Sequence, residues 1–200
     1  MSKLSKLFLF FFIVFSNISL QNNLYSKSIF RKFREVRDNF YEVVPEELYR
    51  SKQLGKNLNS YIKRYGIKTI INLRGVNEGK KWWDKEKEIA GNNGVAFYNI
   101  SMNASCLPRR EDIQKLIWIY EHAQKPFYLH CQGGADRTGL ATAVYKMLKG
   151  ESNKKALNNL SVRYGHIKRK NPAMDFFVKI WQGKDWALNA YNPIDYPRYA

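Results

Sequence analysis

Cysteine is nearly absent from this sequence: Cys106 and Cys131 are the only two among 200 residues. Two cysteines cannot build the disulfide framework that holds small secreted domains together. Histidine is almost as scarce, with three residues, and no Cys/His cluster has the spacing of zinc ligands. There is no internal repeat and no low-complexity segment. No apolar run reaches the roughly 20 residues of a membrane-crossing helix. Acidic residues are outnumbered two to one, 17 against 34 Lys and Arg, giving a net charge of +17. That imbalance favours polyanionic substrates or partners and says nothing about fold.

What is present suffices for one domain. Hydrophobic residues make up 44% and aromatics 15%, enough to bury a core. The first 26 residues read as a signal peptide or N-terminal anchor. Lys3 and Lys6 precede a nine-residue apolar core, Leu7–Phe15, and no A-x-A cleavage site follows. The expected location is therefore exported, periplasmic or secreted, or anchored to a membrane by the N-terminus. Loss of residues 1–16 would take Lys3 and Lys6 with it and leave a charge of +15. Residues 27–39 form a basic leader containing Lys27, Arg31, Lys32, Arg34 and Arg37, which suits an anionic membrane surface.

Residues 40–183 carry the catalytic domain, and 184–200 an irregular tail packed by its rings. Phe40–Val44 and Leu48–Ser51 suggest a hairpin, with Pro45 ending its first strand. Leu54–Arg64 reads as a helix stopped by Gly66, and Ile67–Gly75 as a buried strand. Trp82–Ala90 is a charged helix and Gly94–Ile100 a further strand. Pro108 opens a helix whose Ile113, Leu116, Ile117 and Tyr120 share one face. Lys154–Val162 and Ala173–Trp181 complete the helices. Alternating strands and helices predict an α/β fold, with a central, mainly parallel sheet flanked by helices.

One stretch organises the chain: His130-Cys131-Gln132-Gly133-Gly134-Ala135-Asp136-Arg137-Thr138-Gly139. It runs from the apolar Pro126–Leu129 into the helix-forming Leu140–Leu148, so it reads as strand, tight loop and helix N-terminus. Such a terminus presents unpaired N–H groups and favours anions, including a thiolate. Cys131 can attack phosphorus and form a phosphocysteine. Arg137 can fork onto two phosphate oxygens. Gln132, Gly133, Gly134, Ala135 and Gly139 shape a cradle of amides for the substrate. Thr138 can donate its hydroxyl to the departing sulfur, and His130 can tether the loop. No cofactor is required, and magnesium is unnecessary, because Arg137 and the amides neutralise the oxygens.

His-Cys-x5-Arg-Thr-Gly resembles the signature of the cysteine-dependent protein tyrosine and dual-specificity phosphatases. Leu48–Ser51, Ile70–Arg74 and the helices after the loop are similar in order and spacing to their compact bacterial and fungal members. The resemblance spans about Phe40–Trp181. It implies a dual-specificity-phosphatase-like fold, with Cys131 as nucleophile and Arg137 as phosphate-binding arginine. It also implies action on a phosphorylated protein or a phosphoinositide. The departure concerns the general acid. The family's usual loop falls at about Asn99–Cys106, which holds no carboxylate. Some relatives with an aspartate inside the cradle use it as the acid, so Asp136 takes that role here, with Asp112 and Glu111 as runners-up.

Further expectations concern the surroundings. Arg109-Arg110 and Lys168-Arg169-Lys170 would favour a polyphosphorylated substrate if they faced the cradle. His122 and His166 read as surface or packing residues without a visible partner. Arg74, just past a strand, could reach the site or pair with an acid, and the structural pair is the favoured reading. Cys106 is open to a protective disulfide with Cys131. A 5′-phosphatase acting on RNA and a non-catalytic phosphate-binding module are the alternatives. A secretory leader makes nucleic acid an improbable partner, and a monomer is expected.

Overall fold

A computed structural model describes residues 32–199. The signal-peptide reading of residues 1–26, with Lys27 and Arg31 of the leader, lies outside the described residues. The chain divides into two units between Arg37 and Asp38. In the first, the described residues belong to a helix, α1 (32–38), where the Arg37 guanidinium sits 5.1 Å from the Phe33 ring. Among the described residues no helix is long and apolar enough to cross a membrane.

The second unit is built on a five-stranded sheet: β1 (Tyr41–Val44), β2 (Leu48–Lys52), β3 (Thr69–Asn72), β4 (Ala96–Asn99) and β5 (Phe127–Cys131). Their order is β1-β2-β5-β3-β4. Only the β1–β2 hairpin is antiparallel. The expected α/β sheet, mainly parallel, is thus present. β5 is inserted between β2 and β3, so neighbouring crossovers diverge at its carboxyl end. That is where ligands bind in open α/β sheets.

Six helices accompany the sheet: α2 (Leu58–Tyr65), α3 (Lys81–Asn92), α4 (Arg110–His122), α5 (Asp136–Leu148), α6 (Asn153–Ala156) and α7 (Pro172–Ile180). Side chains of β5 alternate between two cores. Phe127, Leu129 and Cys131 join one core with α4, α5 and α7, whereas Tyr128 joins the other with α2 and α3. Arg50, two residues beyond Leu48, falls by the same alternation on the Cys131 face. The stripe on α4 is as expected: Ile113, Leu116, Ile117 and Tyr120 are all buried. The helix expected over Lys154–Val162 is instead short, with α6 followed by single turns at Leu157–Asn159 and Val162–Tyr164. Asn159 lies in the first of those turns, where its backbone carbonyl accepts from Arg50. The tail belongs to the second unit. Tyr191 is buried, donates to the Pro108 carbonyl (2.6 Å) and meets the Phe177 ring edge-on at 5.0 Å.

At the opposite end of the sheet from Cys131, Glu47 accepts hydrogen bonds from Lys125 and Tyr145 and pairs with Lys149 at 3.0 Å. Burial would raise the pKa of Glu47, but these donors outweigh it and hold the carboxyl at about 2, against 4.5 ordinarily. A depressed acid stabilises the fold above its unfolded pKa, and the contribution fades as pH falls through the folded value. The wild-type melting temperature should therefore fall between about pH 4.5 and about pH 2 more steeply than that of Glu47→Gln, measured by circular dichroism.

Candidate active site

β5 is buried along its length and delivers Cys131 to the carboxyl end of the sheet, opposite Lys52 of β2. The chain turns through Gln132–Ala135 and enters α5 at Asp136. The Gly134 amide donates to Cys131 Sγ at 3.3 Å. The steric demand for glycine falls on Gly134. Its φ is +75°, and a Cβ there would stand 2.4 Å from the Lys52 amide nitrogen. At Gly133 the space is open. Gly139 lets α5 approach the Asn159 carbonyl, which a Cβ would meet at 2.7 Å.

Beneath the loop lies Arg50, fully buried. Its guanidinium donates to the carbonyls of Gly134 (2.8 Å), Ala135 (3.4 Å) and Asn159 (2.9 Å), and it stacks 3.9 Å from the Tyr164 ring centroid. Burial pushes its pKa down to about 10, partly offset by the Tyr164 and Cys131 charges, so it stays cationic at neutral pH. Because a trans peptide points its C=O and N–H in opposite directions, drawing the Gly134 and Ala135 carbonyls onto Arg50 turns the following amides away from it. Arg50 therefore orients the donors of the loop. Asn39 adds a second brace, donating to the Gly133 and Tyr164 carbonyls at 2.9 Å each.

His130 is buried, stacks on Tyr128 and lies 2.9 Å from Glu86 Oε1, off the line of a directed hydrogen bond. Gln53 donates to the other Glu86 oxygen at 3.2 Å. Arg137 rests its Nη1 against the carbonyls of Leu73 (3.4 Å) and Met102 (3.3 Å), long contacts that an anion can displace. The Thr138 hydroxyl, expected to donate to sulfur, is buried without a partner.

Asp136 and His166 depart most from expectation. His166 is buried between two carboxylates: Nδ1 lies 2.7 Å from Asp136 Oδ1, and Nε2 lies 2.7 Å from Asp175 Oδ2. Burial would lower the His166 pKa, but hydrogen bonds and charge from both acids raise it. Burial would likewise raise that of Asp136, but bonds from His166 and Asn171 and the His166 charge lower it. Both shifts favour the charged partners, a carboxylate on Asp136 and an imidazolium on His166. The runner-up Asp112 is held bidentately by Arg109 at 2.8 and 3.1 Å. Arg109 and Arg110 are thus committed to structure, the latter through the Tyr191 carbonyl. Lys168, Arg169 and Lys170 are exposed. His122 is a surface residue stacked on Trp118, and Cys106 and Cys131 are both free thiols.

Among the described residues Arg74 has no acid within salt-bridge distance. Its Nη1 donates to the Gln53 side-chain carbonyl, and its Cζ stands 3.7 Å from the Trp82 ring centroid. Burial and then the Arg137 charge lower its pKa, while Glu86 and Cys131 act oppositely. Arg74 thus lies close enough to the loop to feel both of its functional charges.

Residues 27–174 match the family model of a DSP-PTPase phosphatase fused to NAD+ kinase. No curated protein sequence matches significantly. Several solved structures are similar. P. aeruginosa TpbA in complex with phosphotyrosine is 20% identical, over 72% of this chain and 85% of that one, with a TM-score of 0.56. The catalytic core of the S. cerevisiae PP-IP phosphatase Siw14, in complex with citrate, is 19% identical over 74% and 86%, with a TM-score of 0.60. PTPMT1 in complex with PI(5)P is 14% identical over 70% and 94%, with a TM-score of 0.52. At these identities the likeness is one of fold.

Two outcomes are expected from these contacts. Arg50→Met should lower unfolding free energy by roughly 1–3 kcal/mol for each carbonyl left buried without a donor, read by urea denaturation. For His166, whose pKa is raised above its ordinary 6.5, the stabilisation is complete below about pH 6.5 and disappears as pH rises through the folded value. Wild type should therefore lose melting temperature on the alkaline side, and His166→Gln should not show that loss.

Proposed function

The chain belongs to the DSP-PTPase phosphatase family whose model it matches over residues 27–174, and we propose that it hydrolyses phosphate monoesters through a phosphocysteine intermediate. The carrying observation is the Gly134 amide 3.3 Å from Cys131 Sγ, at the mouth of a helix whose first turn also holds Arg137. In the first step the Cys131 thiolate attacks phosphorus opposite the leaving oxygen. The S–P bond forms, the P–O bond breaks, and the leaving oxygen takes a proton. The loop amides and the Arg137 fork hold the three equatorial oxygens. In the second step water attacks phosphorus, the S–P bond breaks, and the thiolate returns while a base takes the proton of the water.

Asp136, coupled to His166, serves both proton transfers in this reading. Its ionised resting form suits the base of the second step. Its protonated form, needed for a poor leaving group in the first step, is populated toward acidic pH. The substrate class is a phosphorylated protein or a phosphoinositide. TpbA crystallised with phosphotyrosine and PTPMT1 with PI(5)P support the class without choosing within it. The sequence of the leader supports export or membrane anchoring, which fractionation of tagged protein would decide.

Turnover of p-nitrophenyl phosphate without added metal tests the nucleophile. Wild type should trap one phosphoryl group on Cys131 by mass spectrometry after rapid quench, and Cys131→Ser should lose activity by about 10³-fold or more. Turnover by the serine variant at the wild-type rate would overturn the thiolate mechanism. On an alkyl phosphate, Asp136→Asn should cost about 10²–10⁴-fold. His166→Gln should move the basic limb of the pH profile upward, because removing the cation raises the Asp136 pKa. An unmoved limb would release Asp136 from the acid role.

A further inference from the structure

We propose that Arg74, backed by Trp82, is a second anion subsite that selects substrates carrying another phosphate beside the scissile one. This rests on the reading of the Cys131 loop as the phosphate-cleaving centre and names what sits next to it. Arg74 follows Leu73, whose carbonyl accepts from Arg137 Nη1 at 3.4 Å. The β3 end that carries Arg74 is therefore in direct contact with the arginine that clamps the scissile phosphate. The residue is also tied across to Ser101 by an isolated antiparallel bridge, so its backbone is fixed on the rim.

The side chain is placed rather than loose. The guanidinium lies over the Trp82 ring at 3.7 Å, within cation–π range. Nη1 is anchored on the Gln53 carbonyl, itself positioned by the bond from Gln53 Nε2 to Glu86. A guanidinium has five donors, and among the described residues one is used by a side chain. Arg137 Nη1 rests on the carbonyl of Leu73, the residue before Arg74, so both cations belong to the same end of β3. Burial and the Arg137 charge both work against the charged form of Arg74. Such repulsion is relieved when an anion with charge on two neighbouring groups binds. A single phosphate engages Arg137 and leaves the remaining donors of Arg74 for a second anion, which would add to the partial compensation that Glu86 and Cys131 give it.

The bland role for Arg74 is to hold Gln53, Glu86 and, through them, His130. That role would affect every substrate alike, so the ratio between substrates separates the two. The measurement is kcat/KM for five substrates: p-nitrophenyl phosphate, a soluble inositol bisphosphate with vicinal phosphates and its matching monophosphate, and the corresponding phosphatidylinositol bisphosphate and monophosphate at low content in phosphatidylcholine vesicles. Wild type should prefer the soluble bisphosphate over the matching inositol monophosphate by about tenfold or more. Arg74→Gln should abolish that preference, Arg74→Lys should restore part of it, and Trp82→Ala should weaken it.

If the preference appears with the vesicle substrate but not the soluble one, the second phosphate is recognised on a lipid headgroup. If it appears with both, the free inositol phosphate suffices. Equal kcat/KM for mono- and bisphosphate in wild type with both the soluble and the vesicle pair, or a preference that survives Arg74→Gln, would overturn the subsite while p-nitrophenyl phosphate turnover stands. Absence of turnover on every substrate would instead overturn the phosphatase reading itself. Melting curves confirm that each variant is folded.

Discussion

The structure depends on one buried cation. Arg50 has no exposed surface and, among the described residues, no carboxylate in a salt bridge with it; its terminal nitrogens donate to backbone carbonyls, two in the Cys131 loop and one at Asn159, while Nε is buried without a partner. Carbonyl dipoles and the Tyr164 ring compensate the charge. Such an arrangement costs desolvation, and what it obtains is orientation. A glycine-containing loop without a partner for its carbonyls would sample many conformations. Arg50 selects the one in which carbonyls face inward and amides face the other way. The direction in which the loop's amides face is thus imposed from below, by Arg50.

Around that cation the functional groups divide between the two faces of the sheet. Alternation along β5 sends Cys131 to one core and His130 to the other, where Tyr128 and Glu86 hold it. Residues adjacent in sequence are thereby tuned separately. The Asp136–His166–Asp175 chain adds a third support, joining the first turn of α5 to α7. The cradle is braced from β2, from the Gly165–Asn171 segment and from α7, so its shape is set by tertiary contacts rather than by the ten-residue signature alone.

Much of this was legible in the sequence. The strand–loop–helix reading of Pro126–Leu148, the α4 stripe and the mainly parallel sheet rest on local periodicity, which folding preserves. Arg50 was quoted only as part of a short strand. Its partners are backbone atoms 84 and 109 residues away, and carbonyls leave no compositional trace. A signal existed nonetheless, because strand alternation puts Arg50 on the same face as Leu48, where a charge must be buried. The role of His166 was hidden for a similar reason. Its second carboxylate, Asp175, is a lone acid in the apolar turn Ala173-Met174-Asp175-Phe176-Phe177, and that isolation was the available clue. Arg74 was assigned an acid partner by the ordinary habit of surface charges, whereas an aromatic ring and an amide took that place.

The spans closed by Arg50 also bear on how the molecule matures. The thiol at residue 131 is complete as a covalent object long before its surroundings exist. The frame requires β2, the turn at Asn159 and then α7, so contacts of high sequence separation must all close before the loop is fixed, and such contacts form late and slowly. A nascent or truncated chain ending before Asp175 would carry Cys131 as an ordinary thiol in an unshaped loop. Reactivity is therefore coupled to completion of the fold, which spares unfinished chains from using it.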